Sequence, residues 1–262
     1  MTFQDNNNDG KLTVMRYIDN TRETVGDGLS VGEVNSIALA FDENDYPYVA
    51  YVDGGDGSKL NVIRYVTDTR EDVGTNPVST STVSAIDLTF DSSKTTPFVA
   101  YQDGGETNPL TVAAFTNDSW ATIAEGAPTA GPVMSVSLAL DSNDVPYVAY
   151  KSDASKRTSL STVMKLDSTR VSVGSIKTIY SPFAYGEVLN PSLAFDKDNV
   201  PYIAYTNGKD KDKPFKAMVI KYDSNNDLWT PVDSAGISAG NAGNVVLAFD
   251  HTKTFPIIAY SD

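Results

Sequence analysis

The stretch from Ser36 to Asp53, SIALAFDENDYPYVAYVD, recurs four more times along the chain. Aligned on the Asp that closes the first apolar run, the copies read IALAFD ending at Asp42, IDLTFD at Asp91, VSLALD at Asp141, PSLAFD at Asp196 and VVLAFD at Asp250. Successive spacings are 49, 50, 55 and 54 residues. After a short polar stretch each copy resumes at Pro47, Pro97, Pro146, Pro201 or Pro256 with a second apolar run: PYVAY, PFVAY, PYVAY, PYIAY and PIIAY. A fixed period of this length marks a repeat architecture, in which each unit buries its faces against its neighbours.

The runs are short, rich in β-branched and aromatic residues, and bounded by Asp, Asn, Gly and Pro, which predicts strands. Their nearly continuous apolar character predicts sheets covered on both faces. Pro as the first residue of a strand costs no interior ladder bond. The Asp before it can accept from backbone amides and fix the hairpin turn. Ala50, Ala100, Ala149, Ala204 and Ala259 keep one point of the second strand thin enough for close sheet packing.

Two further strand types follow each copy. The third reads KLTVMRY ending at Tyr17, KLNVIRY at Tyr65, PLTVAAF at Phe115, STVMKL at Leu166 and KAMVIKY at Tyr222. The fourth is weaker and more polar, as suits a protected edge: RETVG from Arg22, REDVG from Arg70, WATIA from Trp120, RVSVG from Arg170 and WTPVD from Trp229. With strands A to D in each of five repeats, the expected fold is all-β: a five-bladed β-propeller of four antiparallel strands per blade, residues 1–262 forming a single domain. TFQD near the N-terminus echoes AYQD, so the chain begins part-way through a repeat. Closure is therefore expected by N-terminal strands C and D pairing with C-terminal strands A and B. No segment has the 3.6-residue apolar period of a helix.

The chain carries 34 acidic and 20 basic residues, a net charge of −14. That argues against nucleic acid, whose phosphates are met by Lys and Arg, and against anionic membrane surfaces. No stretch reaches the about 18 apolar residues of a membrane span, so no membrane insertion is expected. No signal peptide follows Met1. Cys is absent, which excludes disulfides and thiol chemistry.

Leu193 to Asp196, Pro201 to Tyr205, Val219 to Asp223 and Trp229 resemble the secreted bacterial and archaeal β-propeller repeats of the form SLAFD…PYVAY.D…TVMKYD…W..VG. The resemblance spans essentially the whole chain; Arg22, Arg70 and Arg170 stand where that form has Trp. It implies an extracellular or cell-surface binding role and brings no catalytic motif. Kelch and WD40 signatures are absent, as are the motifs of the five-bladed lectins.

Binding tends to sit on irregular loops of a rigid scaffold. Here the A–B connections are nearly uniform, and the face bearing the B–C and D–A connections carries the length variation. The connection Ser175 to Asn190 holds Tyr180, Phe183 and Tyr185, and the loop Thr206 to Phe215 mixes Lys209, Lys211 and Lys213 with Asp210 and Asp212. Aromatics beside charges suit a glycan or a protein partner. Asp87 is an unrepeated carboxylate in the strand-A slot that holds Ala38, Ser137, Ser192 and Val246 elsewhere. Asp5, Asn7 and Asp9 alternate before Gly10 as the hard oxygen ligands of a calcium loop do, although Arg16 stands where the full signature has Glu. Asp53, Asp103, Ser152, Asn207 and Asp262 recur just after strand B and read as turn formers.

The leading expectation is thus a non-enzymatic extracellular or cell-surface module that recognises a glycan or protein, with no required cofactor and calcium as an optional one. A structural domain of an adhesin or extracellular assembly, flanked by other domains of a larger parent, is one alternative. A glycoside hydrolase-like enzyme is the other. It needs two carboxylates across a sugar bond, whereas most acids here are repeated and Asp87 has no evident unrepeated partner. The single His251 provides neither a Ser–His–Asp arrangement nor a His-rich metal site.

Overall fold

The apolar runs fold into antiparallel strands almost where the repeat predicts them. The computed structural model describes residues 1–104, 109–128, 132–152, 160–166, 187–208, 215–233, 236–250 and 252–261. The chain divides into two compact units, Met1–Ala127 and Pro128–Asp262.

The first unit holds three sheets. They are β1 (Thr2–Asp5), β2 (Lys11–Ile18) and β3 (Thr21–Gly26); β4 (Val34–Phe41), β5 (Pro47–Asp53), β6 (Lys59–Val66) and β7 (Thr69–Asp72); and β8 (Ile86–Phe90), β9 (Pro97–Gln102), β10 (Pro109–Thr116) and β11 (Ser119–Pro128). The second unit holds β12 (Val133–Leu140), β13 (Pro146–Ser152) and β14 (Leu160–Lys165); β15 (Glu187–Phe195), β16 (Pro201–Gly208), β17 (Lys216–Asp223) and β18 (Leu228–Pro231); and β19 (Val245–Phe249) with β20 (Pro256–Tyr260). Strand order follows chain order within every sheet. Strand D of the fourth repeat, from Arg170, lies outside the described residues. Among those described, the only helical element is a three-residue 3-10 turn, Gly54–Asp56.

One expectation about closure is corrected. TFQD is itself a strand of type B, and it pairs with β2 from Thr2↔Val14 to Asp5↔Lys11. The other edge of β2 carries β3. Both edges of the first strand C are therefore occupied, so the C-terminal strand B has no place on it. β19 and β20 stand as a two-stranded sheet.

The A–B turns are built alike five times. In each, Oδ1 of the closing Asp accepts two backbone amides at 2.8–3.1 Å: Asn44 and Tyr46 on Asp42, Thr95 and Thr96 on Asp91, Asn143 and Val145 on Asp141, Asp198 and Val200 on Asp196, Thr254 and Phe255 on Asp250. The residue three places on, Asp45, Lys94, Asp144, Asn199 or Lys253, takes φ between 52° and 63° and donates its amide to the carbonyl of that Asp. Neighbouring turns are also joined: Glu43 N–H donates to the Lys94 carbonyl, Ser142 N–H to Asn199 Oδ1, and Lys197 N–H to the Lys253 carbonyl.

Within each unit the sheets pack face to face. Leu12 and Val14 of β2 meet Val49, Tyr51, Ile63 and Tyr65 of the next sheet. Ala50, Leu60 and Val62 meet Leu88 and Val99. In the second unit Tyr147, Ala149 and Val163 meet Leu193, Ile203 and Tyr205, and Ala204, Ala217 and Val219 meet Val245 and Leu247. The first aromatic of strand B packs edge-on against the Phe that ends the next strand A: Tyr48–Phe90 and Tyr147–Phe195 at 4.9 Å, Tyr202–Phe249 at 5.2 Å. Ala50, Ala100, Ala149 and Ala204 are fully buried. The last sheet departs from this pattern: Val246, Ala248, Ile257 and Ala259 are exposed on one face.

Candidate functional site

Of the residues expected to bind a ligand, Tyr180, Phe183, Tyr185, Lys209, Asp210, Lys211 and Asp212 lie outside the described residues, as do His251 and Asp262. The two connections are shorter than the sequence suggests. β15 already begins at Glu187, and β16 runs on to Gly208, because both strands continue their pairing from Glu187↔Gly208 inward.

Asp5 closes its own turn. Its Oδ1 accepts the Asn7 amide at 2.9 Å, and its carbonyl accepts the amides of Asn8 and Gly10. Asp9 and Gly10 take left-handed φ values of 52° and 71°. Asn8 Nδ2 reaches Asp27 Oδ1 at 2.8 Å, tying the turn to the end of β3.

The acids after strand B act on the preceding D–A connection. Asp53, 3% exposed, accepts the amides of Val31 and Gly32 as well as its own Gly55. Asp103 accepts the amides of Thr80 and Ser81 and the Thr80 hydroxyl. A second device here was not read from the sequence. Ser30, Ser79 and Ser238 each accept a strand-C amide, from Leu12, Leu60 and Ala217, and each donates two residues on, to Gly32, Ser81 and Gly240. The signal was present as an apolar residue followed by Ser in GLSVG, PVSTS and GISAG.

The A strands (β4, β8, β12, β15 and β19), each the edge strand of its sheet and called the inner strands below, explain Asp87. In the second unit, Ser137 Oγ accepts the Leu193 amide at 3.0 Å, and Ser192 Oγ accepts the Leu247 amide at 2.9 Å. The slot residue of one strand A thus satisfies an amide of the next. In the first unit the slot before Leu88 holds Ala38, which has no acceptor. The Leu88 amide turns instead to Asp87 Oδ1 at 2.8 Å. Asp87 is half-buried on β8, paired with Ala100 and flanked by buried Ile86 and Leu88.

A second acid on an inner strand was missed. Glu187 opens β15, where Thr82, Pro132 and Asn241 stand in other repeats and Glu33 precedes β4. It was hidden because the segment reads as a loop up to Asn190.

No protein-family model and no curated protein matches the chain. Solved structures do. An endo-arabinase from Bacteroides thetaiotaomicron aligns at TM-score 0.53 and 11% identity, covering 86% of this chain and 87% of that one. An α-L-arabinofuranosidase of Fusarium graminearum, in complex with arabinobiose, aligns at 0.56 and 12%, covering 86% and 74%. An α-L-arabinanase of Penicillium chrysogenum, also with arabinobiose, aligns at 0.56 and 11% with the same coverage. The fold is all-β and propeller-like.

This corrects the expectation of a non-enzymatic module. At these identities the likeness establishes the fold alone, but that fold is the one on which three named glycoside-cleaving enzymes are built. The described repeated acids are occupied as turn and loop acceptors, whereas Asp87 stands outside the repeat.

Proposed function

We propose that the chain is a glycoside hydrolase-like enzyme acting on a plant-type polysaccharide, with arabinan the first substrate to test. The observation that carries this reading is Asp87, an unrepeated carboxylate on an inner strand of a fold shared with arabinan-cleaving enzymes. Glycoside hydrolysis asks one carboxyl group to protonate the leaving oxygen and another to activate water or attack the sugar. Asp87 is assigned one of these roles. The same reading takes each of the five A–B hairpins as the inner half of a blade, with β1, β2 and β3 forming a further sheet. It also favours an extracellular setting, where such polymers occur.

The test is release of reducing ends from arabinan, xylan and galactan by the wild-type chain and by Asp87→Asn. Asn keeps an oxygen that can accept the Leu88 amide, so the strand keeps its local hydrogen bond. Loss of a positioned acid–base group is expected to slow turnover about 100-fold or more. No turnover by the wild type on any of these polymers, or equal turnover by Asp87→Asn, overturns the reading.

A further inference from the structure

The last sheet is the exception to the packing of the repeat. β20 pairs with β19 along one edge, and among the described residues its other edge pairs with no strand. In the other five sheets that edge of strand B is filled by strand C: β1 by β2, β5 by β6, β9 by β10, β13 by β14 and β16 by β17. Val246 is 59% and Ile257 57% exposed, and Ala259 is exposed where Ala50, Ala100, Ala149 and Ala204 are buried. Natural edges are guarded by charges, bulges or an interior Pro; Ile257 to Tyr260 have none of these. The five filled edges agree on what belongs there. Each places a Val of strand C opposite one position of strand B: Thr2↔Val14, Ala50↔Val62, Ala100↔Val112, Ala149↔Val163 and Ala204↔Val219. Ala259 is the sixth occurrence of that position, and no Val stands opposite it among the described residues. A short polar residue precedes this Val at Thr13, Asn61 and Thr111, and a large apolar one follows it at Met15, Ile63 and Ile220. Three of these strands, KLTVMRY, KLNVIRY and KAMVIKY, carry two cationic residues and no acid, on a chain whose net charge is −14.

We propose that the open edge of β20 is a docking site for an extended strand of a partner polypeptide, flanked by Lys or Arg, which adds antiparallel to β20 with a Val opposite Ala259. In such strand addition the main-chain hydrogen bonds of the edge supply affinity, and alternate side chains supply selectivity. The small Ala leaves room for a branched side chain across the strand pair, as it does four times elsewhere in the chain. Cationic flanks on the incoming strand meet the negative field of the chain and steer its approach. Nothing in this surface depends on the hydrolase reading.

The probe is a synthetic peptide with the sequence of residues 59–72, KLNVIRYVTDTRED, in which Val62 is the residue to be placed opposite Ala259. Fluorescence anisotropy of the labelled peptide with the folded chain is expected to show saturable binding. Hydrogen exchange of the β20 amides is expected to slow when the peptide is bound. Val62→Asp in the peptide carries an unpaired carboxylate into an apolar strand pair and is expected to weaken binding about tenfold or more. Ala259→Asp in the chain lies at an exposed position and is expected to do the same, with the melting temperature as the folding control. The peptide variant is read on the wild-type chain, so the test does not depend on how Ala259→Asp folds. No saturable binding, equal binding by the Val62→Asp peptide, equal binding to a folded Ala259→Asp chain, or protection that appears away from β20 overturns the site.

Discussion

At the scale of single residues, the closing Asp of each A–B turn carries the most predictable energetics. Asp141, 6% exposed, holds the amides of Asn143 and Val145. Asp141→Ala leaves both without their acceptor, and urea unfolding is expected to show a loss of about 1–3 kcal/mol. Asp141→Asn keeps one oxygen and loses less. Repeats two and five have turns one residue longer, and there a hydroxyl joins in: Ser93 Oγ donates to Asp91 Oδ2 and Thr252 Oγ1 to Asp250 Oδ2. The Phe255 amide and the Thr252 hydroxyl hold Asp250 down to about 2. For Asp91, burial pushes upward, but the Thr96 amide, the Ser93 hydroxyl and the Thr95 amide outweigh it and hold the group below its ordinary value. Both pKa values are depressed by folding, so the stability they confer is present above the ordinary carboxylate range near 4. For Asp250 it is lost as pH falls from there towards 2. Melting temperature measured against pH is expected to fall over that window, and to fall less in Asp250→Asn. An equal acid slope in that variant would contradict the account.

At the scale of elements, neighbouring A strands are joined by side-chain hydrogen bonds as well as by apolar packing. Ser192→Ala removes the acceptor of the Leu247 amide, the link between β15 and β19. Hydrogen exchange at Leu247 is expected to quicken by about tenfold, matching the usual 0.5–1.5 kcal/mol of one such bond, with amides in the first unit unchanged. Asp53→Ala frees three amides at once and is expected to loosen the connection from Val31 to Gly32 and lower the melting temperature more than Asp141→Ala. The strands themselves were legible because their cues are local: apolar runs between Asp and Pro, repeated five times. The first strand was not read, since TFQD has four residues and a polar half. Strand β15 was read four residues short, because Glu187 and Asn190 interrupt the apolar pattern while backbone pairing with β16 begins at Glu187. Register is set by the partner strand as well as by side-chain hydrophobicity. The Ser137 and Ser192 rivets were visible only as entries in the slot shared with Asp87. What they touch lies about 55 residues away in sequence, a distance over which no local pattern reports.

At the scale of the whole molecule, repetition identifies the scaffold and its exceptions point to chemistry. By that rule the sequence singles out Asp87, but the number of its acids alone, without what occupies them, points to a binding module. Asp42, Asp53, Asp91, Asp103, Asp141, Asp196 and Asp250 all spend a carboxylate oxygen on backbone amides. Once these are set aside, the described inner strands retain Asp87 and Glu187. The most direct measurement is therefore kcat/KM for polysaccharide hydrolysis by the wild type and by Asp87→Asn, with melting temperatures recorded on the same samples. The account predicts turnover of a neutral polysaccharide that falls about 100-fold or more in Asp87→Asn while the melting temperature is little changed. A wild-type chain that cleaves none of the polymers, or an Asp87→Asn variant that cleaves them as fast, would contradict it.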